Sequence, residues 1–284
     1  MTSSASSPHL GRVAIIGAGQ IGTMLGVALR GVAEEVLLAD RRRSAVTESL
    51  ARGAGDRVVT IEEAAQADDV VLAVPVPEIV RLVEALGRSL RPGSLLIDTG
   101  SAKRVVVDAM REHVPAQVRA IGGHPMAGTE RPGPEGARPE LIRNSAFALT
   151  PARDDPAAVA RALALVDAVG ARPVILDADL HDRVVAATSH APHLIAAAVS
   201  LATRTLPAET VRDLASSGFA GITRLATSDP GMVAGFLVAN ADAVREALAA
   251  VRKALERAET SLEDADALRV LFTEAAAARE DAAG

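Results

Sequence analysis

The chain has 284 residues, 49% of them hydrophobic and 23% charged, with 22 glycines and 15 prolines. These are the proportions of a globular protein long enough for two packed domains, and they exclude a disordered or collagen-like chain. Thirty basic residues against 36 acidic ones leave a formal charge of −6, which gives no electrostatic footprint for nucleic acid or an anionic membrane, and the lack of cysteine excludes disulfides, thiolate metal sites and a cysteine nucleophile.

Residues 1–10 have neither the basic start nor the apolar core of a signal peptide and read as a short disordered tail. No run of 18 apolar residues occurs. The most apolar stretch, Ala186 to Ala202, is interrupted by Thr188, Ser189, His190, Pro192, His193 and Ser200, so the expectation is a soluble, cytoplasmic chain without a membrane span. From Arg12, short β-branched runs alternate with helical spacing. Strands are expected at Val13–Ile16, Val36–Ala39, Val70–Val74, Leu95–Ile97, Val118–Ile121, Phe147–Leu149 and Val174–Leu176. A helix follows the first strand, with Ile21, Leu25, Ala28 and Leu29 at helical spacing, and another covers Ala45–Arg52. This alternation predicts parallel β-α-β crossovers and a doubly wound α/β sheet, a Rossmann-like dinucleotide-binding domain over residues 11–178.

From His181 onward Ala, Leu, Val, Arg and Glu recur with helical periodicity and no period-2 strand, which predicts an all-α domain over residues 179–284. Its clearest amphipathic helix is Ala241–Arg257, with Val244, Leu248, Val251 and Leu255 on one face, and Glu274–Gly284 reads as a polar tail. A helical domain of about 100 residues beside such a sheet leaves apolar surface to cover, so a homodimer through it is expected.

Gly17, Gly19 and Gly22 form a GxGxxG that follows a strand and opens a helix. In that context the glycines have mechanical reasons: a tight turn, close approach of backbone to a pyrophosphate, and close helix–strand packing. Gln20 and Ile21 belong to the same turn and complete the expected cofactor-binding set there. Asp40 ends the next strand, where a carboxylate accepts the adenosine ribose hydroxyls and repels a 2′-phosphate, which favours NAD. Arg41 to Arg43 follow, and an arginine there can stack on adenine or pair with a 2′-phosphate, which leaves NADP open. Val74 and Pro75, at the end of the third strand, are expected to line the nicotinamide side of the crevice.

Two further segments fall at strand carboxyl ends, Asp98 to Lys103 and Gly122 to Glu130. Ser101 reads equally well as a site hydroxyl or as the N-cap of the helix that follows. His124, between glycines and a proline on a loop, is poorly placed for core packing and is a natural general base, with a pKa expected near the unperturbed ~6.5. His190 and His193 stand three residues apart but lack a nearby carboxylate or thiol, so no metal site is expected. Arg224 lies in an apolar, glycine-containing stretch from Gly218 to Ala226, which argues for an inward cation with an anionic partner.

These motifs, together with Gly123–Glu130, His181-Asp182, Ser189–His193 and Thr223–Ala226, give the chain from Arg12 to about Arg257 a resemblance to the prephenate dehydrogenase family, including its arogenate and cyclohexadienyl members. The resemblance implies a dinucleotide-binding domain, a helical dimerisation domain, and NAD(P)-dependent oxidative decarboxylation of a cyclohexadienyl substrate to 4-hydroxyphenylpyruvate or tyrosine. It implies that His124 deprotonates the ring C4 hydroxyl, that Ser101 hydrogen-bonds that hydroxyl or the histidine, and that Arg224 holds the side-chain carboxylate. It also places His190 and His193 near the pocket and gives Glu130 a gating or orienting role. The chain departs from the family pattern at Ala220-Gly221, where a polar pair is common, and at Val233, where a tryptophan is usual. Arogenate or an aminated prephenate analogue therefore stands as an alternative substrate. A β-hydroxyacid dehydrogenase would need a lysine early in the helical domain, and no lysine lies between Lys103 and Lys253. A non-catalytic NAD(H)-sensing module would leave the histidine, serine and arginine unexplained.

Overall fold

The structure is a computed structural model that describes residues 10–129 and 131–283. The first half alternates β1 (Leu10–Ile16), α1 (Gln20–Leu29), β2 (Ala33–Ala39), α2 (Arg43–Ala51), β3 (Arg57–Val58), α3 (Ile61–Ala64), β4 (Asp69–Leu72), α4 (Val76–Leu86), β5 (Leu95–Asp98), α5 (Arg104–His113) and β6 (Arg119–Pro125). Then come β7 (Ala146–Pro151), α6 (Pro156–Ala168) and β8 (Arg172–Ile175). The strands form one sheet in the order β3-β2-β1-β4-β5-β6-β7-β8. Side chains alternate between its faces: Ala14 and Ile16 pack with α4 and α5, while Val13 and Ile15 pack with α1 and α6. Both faces are covered, so the central strands read as continuous apolar runs. The order reverses between β1 and β4, and a crevice opens there beyond the strand carboxyl ends.

The sheet is not wholly parallel, as the crossover pattern had predicted. β7 runs antiparallel to β6, with His124 opposite Ala148. Between the two strands the described residues hold two short 3-10 turns, Pro134–Gly136 and Pro139–Leu141, and no α-helix, and a parallel return needs a crossover. Two further expectations are corrected, and one strand was not anticipated. Leu10 begins β1 and is buried rather than part of the tail, whose residues 1–9 lie outside the described residues. His124 lies on β6 itself, not on a loop, because that strand continues to Pro125. The two-residue β3 carried no apolar run by which to find it.

The second half is helical: α7 (Ala178–Val185), α8 (Ala191–Ala202), α9 (Ala208–Leu214), α10 (Ser217–Thr223), α11 (Pro230–Ala239), α12 (Ala241–Thr260) and α13 (Ala265–Ala283). The polar tail expected from Glu274 is the end of α13; its alanines are strong helix formers. A π turn, Ala186–His190, joins α7 to α8, with the Ala191 N–H bonded to the Ala186 carbonyl. Pro192, next along, has no N–H to offer the normal ladder. The continuous run 178–205 is long and apolar enough by composition to cross a membrane, with a mean hydropathy of 1.4, despite its interrupting polar residues. It buries His181, Asp182 and His190 where the helices meet the sheet. Much of the remaining helical surface is apolar and open: Leu214 is 77% exposed, Val238 79% and Phe272 69%. On the expected face of α12, Val244 is buried while Leu255 is exposed.

Candidate active site

At the nucleotide end, Gly17 has φ +114°, and its N–H donates to the Ala39 carbonyl at 2.7 Å. A Cβ at Gly17 would lie 2.2 Å from the Ala73 carbonyl oxygen, and one at Gly22 would lie 1.9 Å from the Gly17 carbonyl oxygen. Gly19 faces open space, and the start of α1 has no side-chain cap and no acidic residue in its first turn. Free amides on an open approach suit a pyrophosphate. Asp40 accepts the Ala18 N–H at 2.8 Å and the Arg42 N–H at 2.7 Å, one on each carboxylate oxygen, so each oxygen keeps a lone pair for a ribose hydroxyl. These residues fit a dinucleotide.

The rest of this set divides. The Gln20 side chain is occupied: its amide donates to Thr129 Oγ1 and to the Arg131 and Gly136 carbonyls, and its Oε1 accepts the Thr129 N–H. It ties the segment after β6 to α1, which leaves its backbone for a cofactor. Ile21 is half-buried, Val74 abuts the Gly17 turn, and Pro75 precedes the first residue of α4. Arg41 is exposed, 3.8 Å from Glu78.

His124, on β6, faces the other end of the crevice. Its Nδ1 lies 2.9 Å from His181 Nε2, and His181 Nδ1 lies 2.8 Å from Asp182 Oδ1. Asp182 Oδ1 also accepts the Lys103 N–H at 2.7 Å, and Oδ2 the Arg104 N–H at 2.9 Å. The free amides at the start of α5 are thus capped from the helical half, and Ser101, three residues before α5, is not its cap. Ser101 is half-buried. Burial, with His181, the Lys103 ammonium and His190 nearby, holds His124 well below its usual pKa, so the imidazole is neutral. Burial pushes the Asp182 carboxyl up, but the hydrogen bonds from His181, Arg104 and Lys103 outweigh it and leave the group below the ordinary carboxylate range.

Beneath His124 lies a buried ion pair. Lys103 is 0% exposed; its Nζ donates to Asp98 Oδ2 and, at 2.6 Å, to the Gly123 carbonyl. Asp98 accepts the Gly100 N–H at 2.7 Å and the Gly123 N–H at 3.0 Å. The two glycines before His124 are required by this packing. A Cβ at Gly123 would lie 2.4 Å from the Asp98 carbonyl oxygen, and one at Gly122 would lie 2.3 Å from Thr150 Oγ1. Burial lowers the Lys103 pKa, opposed by Asp98.

On the helical side, His190 is fully buried, stacked on Phe236 at 4.4 Å, with Asn240 Nδ2 at 3.1 Å from its Nδ1. Its Nε2 has no hydrogen-bond partner among the described residues. Burial lowers its pKa to about 4, so this ring too is neutral. His193 is half-buried, its Nδ1 on the Ser189 carbonyl at 2.8 Å and its ring edge against Phe236. Arg224 opens a 3-10 turn, Arg224–Thr227, that packs on α8, and it is exposed on the single chain rather than turned inward; the glycines around it leave little side chain to cover it. Glu130 lies outside the described residues. Among the described residues no group of three His, Cys, Asp or Glu is arranged to hold a metal. Behind Asp182 a cavity of about 490 Å³ opens, lined by Arg104, Asp177, Asp179, Asn240 and Asp242.

Residues 25–175 match the family model of the prephenate dehydrogenase nucleotide-binding domain, and residues 177–274 that of the prephenate dehydrogenase dimerization domain. The chain belongs to the prephenate dehydrogenase family. It is thereby an oxidoreductase. A cyclohexadienyl dehydrogenase of Zymomonas mobilis is 32% identical over 94% of this chain and 94% of its own length. A prephenate dehydrogenase of Bacillus subtilis is 34% identical over 71% of this chain, which spans 56% of that relative's length. Among solved structures, the A. aeolicus prephenate dehydrogenase in complex with hydroxyphenyl propionate and NAD+ superposes with a TM-score of 0.87 at 24% identity, over 98% of this chain and 100% of that one. At that identity the likeness shows the shared prephenate dehydrogenase fold.

Sequence reasoning assigned no role to His181, Asp182, Asp98 or Lys103. One clue pointed to the last: Lys103 is one of only two lysines among 30 basic residues, and a compact ammonium fits a closed pocket where a guanidinium fork does not. Replacing Lys103 with Met would leave the Asp98 carboxylate buried without its countercharge. We expect Lys103→Met to lose about 3–5 kcal/mol in urea unfolding; a loss below about 1 kcal/mol contradicts the assignment of the pair as the support under His124.

Proposed function

We propose that the chain catalyses the NAD-dependent oxidative decarboxylation of prephenate to 4-hydroxyphenylpyruvate, with His124 as the general base. One observation carries this reading: a neutral imidazole stands at the carboxyl end of β6, on the crevice whose other end is the glycine turn and Asp40. The α1 amides and Gly19 would hold the pyrophosphate and Asp40 the ribose. NAD, when bound, supplies the acceptor for the hydride of ring C4.

His124 takes the C4 hydroxyl proton, with Ser101 as a hydrogen-bond partner to that hydroxyl. Arg224 holds the side-chain carboxylate, assisted by His193, with Glu130 orienting the pocket. His190, buried in the wall, serves by fixing that wall. Aromatisation drives the loss of carbon dioxide, so the chain's tasks are positioning and proton removal. This reading takes residues 11–178 as the dinucleotide domain and residues 179–284 as the helical domain, with the crevice between them; the change from alternating strands and helices to helices alone after Ile175 supports it. The exposed apolar residues of α9, α11 and α13 support a homodimer through the helical domain. We place the protein in the cytoplasm on this reading.

The deciding assay is NADH formation with prephenate and arogenate as substrates. His124→Asn keeps a polar group of similar reach but cannot take the proton, so kcat should fall by about 10²–10⁴-fold with NAD affinity unchanged; near-full kcat would remove His124 as the base. The base works only unprotonated, and its folded pKa lies well below 6.5. The acid limb of kcat/KM should therefore sit below pH 6.5, lower than the sequence alone suggests, and should vanish in His124→Asn. A limb at or above 6.5 would contradict the buried environment. Asp40→Ala removes the ribose acceptor and leaves Arg41 to Arg43, so the ratio of NADP to NAD efficiency should rise; an unmoved ratio places Asp40 away from the ribose.

A further inference from the structure

We infer that His181 and Asp182 are positioning residues for His124: a chain of two hydrogen bonds fixes the tautomer that leaves His124 Nε2 free as an acceptor, and shares the charge of the proton that atom takes. The inference rests on His124 being the base and goes beyond it, because neither residue needs to touch the substrate.

The hydrogens are assigned from the Asp182 end of the chain. The Asp182 carboxylate is acceptor-only, so the hydrogen in the 2.8 Å contact must sit on His181 Nδ1. With its hydrogen on Nδ1, the His181 ring has Nε2 left as an acceptor. The hydrogen in the 2.9 Å contact then belongs to His124 Nδ1, and His124 Nε2 is left with its lone pair. Running the chain the other way would put a hydrogen on the very atom that has to accept one.

The charged and titratable groups around the two rings come from every element packed there. Asp98 ends β5, and Lys103 and Arg104 stand at the start of α5. Asp179 and Arg183 lie on α7 with His181 and Asp182, His190 on the π turn, and Asp242 on α12. Lys103 and Asp98 neutralise each other, and Arg104 faces Asp179 and Asp242. Asp182 is therefore the carboxylate left to answer a positive charge on the rings. When the substrate O–H breaks and the Nε2–H bond forms, the His124 Nδ1 hydrogen moves toward His181 Nε2. The charge then spreads over both rings toward Asp182, and one proton returns to solvent after product leaves.

Asp182 is anchored for this work by the α5 amides and by Asn240, whose Nδ2 donates to the Asp182 carbonyl at 2.8 Å. The test uses the full chain. Nitrogen-15 NMR of the wild type should show His124 with hydrogen on Nδ1 and a lone pair on Nε2. His181→Phe fills the space without ring nitrogens; it should lose at least about 10-fold in kcat and show mixed His124 tautomers, with the NAD dissociation constant unchanged. A merely structural His181 would lower the melting temperature but leave the tautomer and the kcat of folded enzyme intact. A wild-type His124 bearing its hydrogen on Nε2 overturns the inference, and that measurement decides even if the variant does not fold. Loss of activity in His124→Asn with full activity in His181→Phe sinks this inference alone, whereas an active His124→Asn sinks the base reading itself.

Discussion

The Asp182 carboxylate stands where the helical half of the chain meets the sheet, and it accepts hydrogen bonds from His181 Nδ1 and from the Lys103 and Arg104 amides at once. Two needs are met by one group. The exposed start of α5 finds its cap, and the imidazole chain to His124 finds its terminus. A carboxylate at a helix N-terminus is favoured electrostatically as well as by hydrogen bonding. The consequence is geometric: the base on β6 points correctly only while α7 is seated against α5. Relative placement of the two halves and the state of the base are therefore one constraint.

The Lys103–Asp98 pair supports the same constraint from below. It binds both the N–H and the carbonyl of Gly123, the residue immediately before His124. Burying two charges is costly unless each is fully hydrogen-bonded, and here the cost is offset by the backbone of the β5 and β6 ends. The close approach leaves no room for side chains at Gly122 and Gly123. The glycine-glycine-histidine run is thus a packing requirement, and it gives the histidine a rigid seat on a strand.

Much of this was legible in the sequence. The parallel core from β1 to β6 followed from apolar runs alternating with helical spacing, and the dinucleotide end followed from Gly17, Gly22 and Asp40, whose roles are local. His124 stood out because few core environments suit it. The cap on α5 could not be read, because Ser101 is the nearer capping residue in sequence while Asp182 arrives from 78 residues beyond Arg104. The reversal of β7 was hidden for a similar reason: a strand pattern carries no direction, and the direction is set by a connection whose described residues form only short 3-10 turns. The helix through Glu274 was missed because charged surface residues obscured an alanine-rich run of high helix propensity.

Whether the two histidines and Asp182 form one aligned chain at the reacting end of the crevice is decided by a crystal structure of the protein with NAD and a prephenate analogue bound. His124 Nδ1 should remain at hydrogen-bond distance from His181 Nε2, with His124 Nε2 facing the analogue's ring oxygen. A His124 turned away from His181, or presenting Nδ1 to that oxygen, would contradict it.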